Sequence, residues 1–184
     1  MIRRTIETIA GYDPTHYPNY PALPKREITM AEPAPIRTDF PDNIVDFADT
    51  SAFSADQLAV WNLQKGMYAG FMTGERSRTD KHLAHDVTIW DVLVEKIADG
   101  LDEYNALRAA RPDPTNQPKL EVIECFQPII DVWDDTAVGR HILKARYIDD
   151  AAPEEITRVS TAWRRRDGEW MLVHSHEDLF LPVN

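Results

Sequence analysis

The chain has 184 residues, enough to bury one core but few for two full domains, and its 43% hydrophobic and 28% charged side chains suit a folding chain rather than a disordered one. Its 31 acidic against 20 basic residues give a formal net charge of -11, a field that repels phosphate backbones, so nucleic acid is not an expected partner. No stretch reaches the ~20 apolar residues that cross a bilayer, and Met1-Ile2-Arg3-Arg4-Thr5-Ile6-Glu7 leads into no apolar leader segment; the expected location is the cytoplasm, with no membrane partner.

Seven of the 13 prolines fall between Pro14 and Pro41. Each removes an N–H and restricts the residue before it, so neither a helix nor a central strand runs through them. Residues 1–53 are therefore read as a proline-rich arm, and its aromatics Tyr12, Tyr17, Tyr20, Phe40 and Phe47 are expected to lie across the domain or a partner subunit. The domain is expected to occupy residues 54–184.

Order should begin at Ser54, whose hydroxyl accepts orphan N–H bonds at a helix start while Gln57 completes a capping box. Behind it Leu58, Trp61, Tyr68 and Met72 recur on one helical face, and Leu63, Met67 and Phe71 widen the apolar surface. Gly66 and Gly70 weaken the helix and admit a close neighbour. Gly74 ends it, Thr79–His85 reads as a short helical turn, and Asp86–Asp91 as a strand. Gly100–Arg111 reads as another helix, stopped by Pro112 and Pro114.

Four strand-like runs follow, Leu120–Trp133, Ala137–Ile148, Ile156–Arg166 and Trp170–Phe180, with Pro128 marking a bulge or edge. Asp167-Gly168 between the last two is the strongest hairpin signal in the chain. Helices first and an antiparallel meander afterwards make the fold class α+β. Strict alternation places Trp170, Leu172, His174 and His176 on one face of the last strand and Met171, Val173, Ser175 and Glu177 on the other. Both faces carry apolar residues, so one packs on the helices and the other implies a homo-oligomer, a dimer or larger, formed through the sheet. The single cysteine, Cys125, lies in an apolar run and reads as a buried structural thiol.

Two stretches carry a resemblance. The hairpin Ser160-Thr161-Ala162-Trp163-Arg164-Arg165-Arg166-Asp167-Gly168-Glu169-Trp170-Met171-Leu172-Val173-His174-Ser175-His176, and the strand Asp86–Asp91 with the glycine-led helix after it, resemble the association domain of calcium/calmodulin-dependent protein kinase II and its SnoaL-like bacterial relatives, in the nuclear transport factor 2-like superfamily. The likeness spans about residues 55 to 180. It implies a cone, in which a curved antiparallel sheet and N-terminal helices enclose a small-molecule pocket, and assembly through the sheet. Thr161 stands where the kinase domain carries an arginine, so that pocket arginine is not carried over.

His174 and His176 have side chains that exchange protons near neutral pH; the alternative is that they are hydrogen-bonding residues of the sheet or subunit contact. Asp91 beside Trp90 is a candidate general base against an aromatic wall, or a cap for the next turn. Tyr68 is a candidate donor to a developing oxyanion, or a core tyrosine. The catalytic candidates are thus Asp91, His174 and Tyr68. Trp90, His176, Arg146 and Trp61 are candidate ligand-binding residues, Arg146 as an anion partner. His82 and His85 share a helical spacing, but a four-histidine metal site is the least favoured reading. Arg164-Arg165-Arg166 beside Asp167 and Glu169 reads as a solvated turn. Phosphate loops, serine elbows and dinucleotide fingerprints do not occur, and no cofactor is expected. The resulting expectation is a SnoaL-like small-molecule-binding protein or cofactor-independent isomerase, dehydratase or cyclase; the alternative is a non-catalytic oligomerisation module.

Overall fold

The computed structural model describes Phe40 and residues 43–111, 119–149 and 152–180; Tyr12, Tyr17, Tyr20, Pro112 and Pro114 lie outside them. In chain order the elements are β1 (Ile44–Asp46), α1 (Ala55–Thr73), α2 (Arg76–Asp80), β2 (Leu83–Trp90), β3 (Ala98–Asp99), α3 (Leu101–Ala109), β4 (Leu120–Trp133), β5 (Thr136–Tyr147), β6 (Glu155–Arg166) and β7 (Glu169–Phe180). Among the described residues the strands form one open, mixed sheet ordered β1-β4-β5-β6-β7-β2-β3. The meander β4 to β7 is antiparallel, whereas β1 joins β4 and β2 joins β7 in parallel. The fold is α+β, as the order of the sequence signals required.

Helix α1 starts at the expected capping box. Ser54 Oγ accepts from the Gln57 N–H at 3.3 Å, and Gln57 Oε1 accepts from the Ser54 N–H at 2.8 Å. The Gln57 amide also donates to the Ile130 carbonyl at 2.7 Å, fastening the helix start to β4. Gly74 closes the helix with φ 73°, the left-handed conformation that glycine adopts without a Cβ clash. The buried stripe is Val60, Trp61, Gln64, Lys65, Tyr68 and Ala69, while Leu58 and Phe71 face outward. Gly70 does admit a close neighbour, for a Cβ there would lie 2.7 Å from Thr79 Oγ1 on α2.

Three local expectations need correction. The helical turn comes earlier than Thr79–His85, at Arg76–Asp80, because Leu83 and Ala84 are buried as the first residues of β2 and Leu83 pairs with Leu172. The arginine run does more than solvate a turn: Arg166 grips Asp86 through two hydrogen bonds of 2.7 and 2.9 Å, and Arg165 bonds Asp56 at 2.5 Å while covering the Trp170 ring.

The third correction moves the functional residues. Trp163 pairs with Leu172, but its neighbour Ala162 pairs with His174, leaving Val173 as an extra residue in β7. Such a bulge reverses which side chains face the core. Trp170 and Leu172 are buried before it; after it the buried residue is Ser175 and the exposed one is His176. His174 and His176 therefore leave the face of Trp170, and Glu177 turns inward. A further bulge falls where Pro128 signalled it, between Phe126 and Ile129, with Gln127 at φ 50°. The hairpin turn Asp167-Gly168 has φ of 52° and 84°, both positive, as a tight two-residue connection requires.

The inner face of the sheet, from Ile123 and Cys125 through Ala137, Trp163 and Leu172 to Val87 and Ile89, packs with Val60, Trp61 and Tyr68 of α1 into one core. Residues 43–53, at the end of the stretch read as an arm, take part: β1 pairs with Ile123–Cys125 of β4, and Phe47 stacks on Phe126 at 4.7 Å.

Candidate functional site

Strands β2 and β7 run in parallel, with Thr88 beside His174, Ile89 beside Ser175 and Trp90 beside His176. Ile89 and Ser175 face inward and are buried, so the next inward positions by the two-residue period are Asp91 and Glu177. Two carboxylates thus meet on the inner face. Asp91 is tied down: Arg111 pairs with its Oδ2, and its Oδ1 accepts from the Leu93 N–H at 3.0 Å. It is both an inward carboxylate and the cap of the turn that follows.

Glu177 has neither a hydrogen bond nor an ion pair among the described residues. It is half-buried, so solvent reaches it, yet enough protein surrounds it to push its carboxyl up to about 7. Loss of solvation is the main cause, the Asp91 charge adds to it, and Arg111 opposes it. Helix α3 supplies the opposite wall. Gly100 at φ 97° lets the chain turn into the helix, and Glu103 accepts from the Asp99 N–H at 2.9 Å to secure its start. Tyr104, Arg108 and Arg111 follow at helical spacing. The Tyr104 hydroxyl has no hydrogen-bond partner among the described residues, and burial with the nearby Asp91 and Glu177 charges pushes it to about 12, so it remains a proton donor. Arg108 lies over the Tyr104 ring at 4.6 Å and bonds Asp80 at 2.8 Å.

Further toward α1, Tyr68 and His141 are joined by a hydrogen bond of 2.5 Å between the hydroxyl and Nε2. Burial lowers His141 to about 3, so the ring is neutral at ordinary pH, and burial with the Glu177 charge raises Tyr68 well above its usual value.

Asp91 and Tyr68, of the residues singled out from sequence, thus both lie on the inner side near Glu177. Trp61 is buried on α1, its ring edge-on to His141 at 5.1 Å and its Nε1 donating to Asp46 at 2.8 Å. Trp90, His174 and His176 occupy the outer face: His174 Nδ1 bonds Thr88 Oγ1 at 2.8 Å, and His176 lies 5.3 Å from the Trp90 ring. Arg146 sits 3.6 Å from Glu124, beside Lys144. Glu177, Tyr104, Arg111 and His141 were not anticipated. Glu177 was hidden by the bulge, and the other three carry no motif; the one available signal was a dense polar run, His174 to Asp178, inside a strand. Among the described residues no group of three or more histidine, cysteine or acidic side chains is arranged to hold a metal ion, and no helix is long and apolar enough to cross a membrane.

No protein-family model and no curated protein matches the sequence. Solved structures do match. A nuclear transport factor 2-like protein from Pseudomonas putida KT2440 aligns with a TM-score of 0.59 at 17% identity, covering 67% of this chain and 86% of that one. A candidate ketosteroid isomerase from Shewanella frigidimarina aligns at 0.55 and 24% identity, covering 65% and 94%. The calcium/calmodulin-dependent kinase II hub of S. rosetta aligns at 0.58 and 16% identity, covering 69% and 98%. The chain has the nuclear transport factor 2-like cone fold, and at these identities the likeness establishes the fold alone.

Proposed function

We propose that the inner end of the cone is a small-molecule site where Glu177 moves a proton without a cofactor, in an isomerisation, dehydration or cyclisation of the SnoaL-like kind. The supporting observation is an inward, solvent-reached carboxylate with no partner, set beside an Asp91 that Arg111 keeps occupied and near a Tyr104 hydroxyl with a proton to give. A carboxyl held near 7 is half ionised at neutral pH, which suits a group that must both take and return a proton. In the simplest such step Glu177 takes the proton from a carbon next to a carbonyl. The C–H electron pair becomes the enolate double bond, the oxygen is stabilised by Tyr104, and the proton returns from Glu177 to carbon. Asp91 holds Arg111 in place, and Tyr68 and Trp61 line the inner wall. A candidate ketosteroid isomerase among the structural neighbours supports the reading by analogy.

Hydrogen–deuterium exchange into a panel of small enolisable ketones, followed by NMR in D2O, tests it. The rate should rise with pH through about 7 as Glu177 ionises. It should vanish in Glu177→Gln and fall about 100-fold in Tyr104→Phe, as loss of an oxyanion donor does. Exchange unaffected by Glu177→Gln would exclude the role.

A second reading, assembly, is favoured by the outer face. Trp90, His176, Ser160, Arg140 and Ile129 pair in one row across the sheet, and Trp90, Ile129 and Trp133 are 44%, 59% and 58% exposed. Large apolar side chains gathered on one face are typical of a contact surface, and a hub is among the neighbours. The two readings are compatible, because they use opposite faces. Sedimentation should show a dimer or larger assembly that Trp133→Glu converts to monomer; a wild-type monomer at high concentration would refute it.

A further inference from the structure

A cavity of about 10 Å³ lies between α1 and the sheet, bordered by Gln64, His141 and Thr161 among others. That is close to the smallest space that holds one water, and such a water needs two to four polar partners. Gln64 is 3% exposed and its Oε1 has no hydrogen-bond partner. A buried carbonyl oxygen left unpaired destabilises the fold, so its isolation calls for a donor.

The hydrogen-bond directions around the cavity follow from its neighbours. Among the described residues the buried Tyr68 hydroxyl has His141 as its one side-chain hydrogen-bond partner, and a buried O–H needs an acceptor. The Tyr68 proton is then free to go to His141 Nε2 at 2.5 Å. A neutral imidazole that accepts at Nε2 carries its proton on Nδ1. On the third side, Thr161 Oγ1 accepts from Trp163 Nε1 at 2.9 Å and donates toward the Gly139 carbonyl at 3.4 Å, leaving one lone pair.

We propose that the cavity binds one structural water that accepts from His141 Nδ1–H and donates to Gln64 Oε1 and Thr161 Oγ1. The water extends a chain of hydrogen bonds: Tyr68 to His141, His141 to water, water to Gln64. Every donor in the chain meets an acceptor in only one direction along it. Tyr68 is thereby fixed as an acceptor toward the rest of the cone, and Tyr104 is the phenol left to donate. The chain also keeps a neutral histidine from swapping tautomers, a service a purely apolar wall would not supply.

Two measurements on the wild-type protein decide the matter without any variant. A crystal structure at atomic resolution should show water density within hydrogen-bonding distance of Gln64 Oε1 and His141 Nδ1; an empty cavity overturns the proposal. Two-bond nitrogen–proton NMR should report His141 protonated on Nδ1 alone and unchanged from about pH 5 to about pH 8, where an ordinary histidine titrates; protonation on Nε2 overturns it. Gln64→Leu should then abolish the water density, and retention of a water at full occupancy without the Gln64 oxygen would overturn the proposed role of that oxygen in holding it.

Discussion

Glu177→Gln should make the protein more stable at pH 8 by roughly 2–3 kcal/mol, and no more stable at pH 4. The wild-type carboxyl sits near 7 in the folded protein against an ordinary value of 4.5. The folded state therefore holds this proton in a window where the unfolded chain has released it. Its contribution is fully present below about 4.5, fades as pH rises, and is lost above about 7, where folding must keep a poorly solvated charge. Glutamine has the same shape and no charge to desolvate. His141 acts with the opposite sign: its folded value near 3 against 6.5 takes stability away as pH falls through that interval. The two slopes oppose each other between about 4.5 and 6.5, so the wild type should be nearly level there while Glu177→Gln climbs. Urea unfolding at a series of pH values reads both effects. A variant less stable than wild type at pH 8 would mean that the ionised carboxylate is well compensated, and the site would lose the feature that suits it to proton transfer. Gained stability together with lost exchange activity would instead mark a residue kept for function against stability.

The large-scale order was legible because it rests on local chemistry. Ser54 with Gln57 marked the start of α1, Gly74 its end, Asp167-Gly168 the hairpin and Pro128 a bulge, each a backbone requirement written in residue type. The site was legible only in part. Asp91 and Tyr68 sit on elements whose inward face the periodicity identifies, and both lie near Glu177. The histidines and Glu177 were assigned to each other's faces because a period of two carries across a strand only if nothing is inserted. The extra residue at Val173 has no proline or glycine to announce it, and pairing with β6, not the local sequence, determines it. Tyr104 and Arg111 met Glu177 through tertiary packing alone, which no spacing within α3 encodes.

Asp46→Ala should destabilise the protein by about 3–5 kcal/mol, more than any single surface change, because it strands a buried cation. Lys65 Nζ and Asp46 Oδ2 are 2.6 Å apart with side chains only 2% and 6% exposed. Asp46 also accepts from Trp61 Nε1 at 2.8 Å and, through its other oxygen, from the Ala48 N–H at 2.9 Å. Alanine leaves an ammonium, an indole N–H and a backbone N–H without their acceptor. Replacing both charges, with Asp46→Asn and Lys65→Met together, should recover most of the loss, since asparagine still accepts hydrogen bonds and no ion is left alone. Denaturant unfolding of the two single variants and the double gives the coupling directly; a loss below about 1 kcal/mol for Asp46→Ala would place the pair among solvated surface bridges. The effect should also reach the site. Asp46 is the last residue of β1, a strand of three residues at the sheet edge, and it holds the Trp61 ring that stands edge-on to His141. Loosening β1 frees that wall, so the tautomer of His141 should lose its single form in Asp46→Ala even under conditions where the rest of the sheet stays folded.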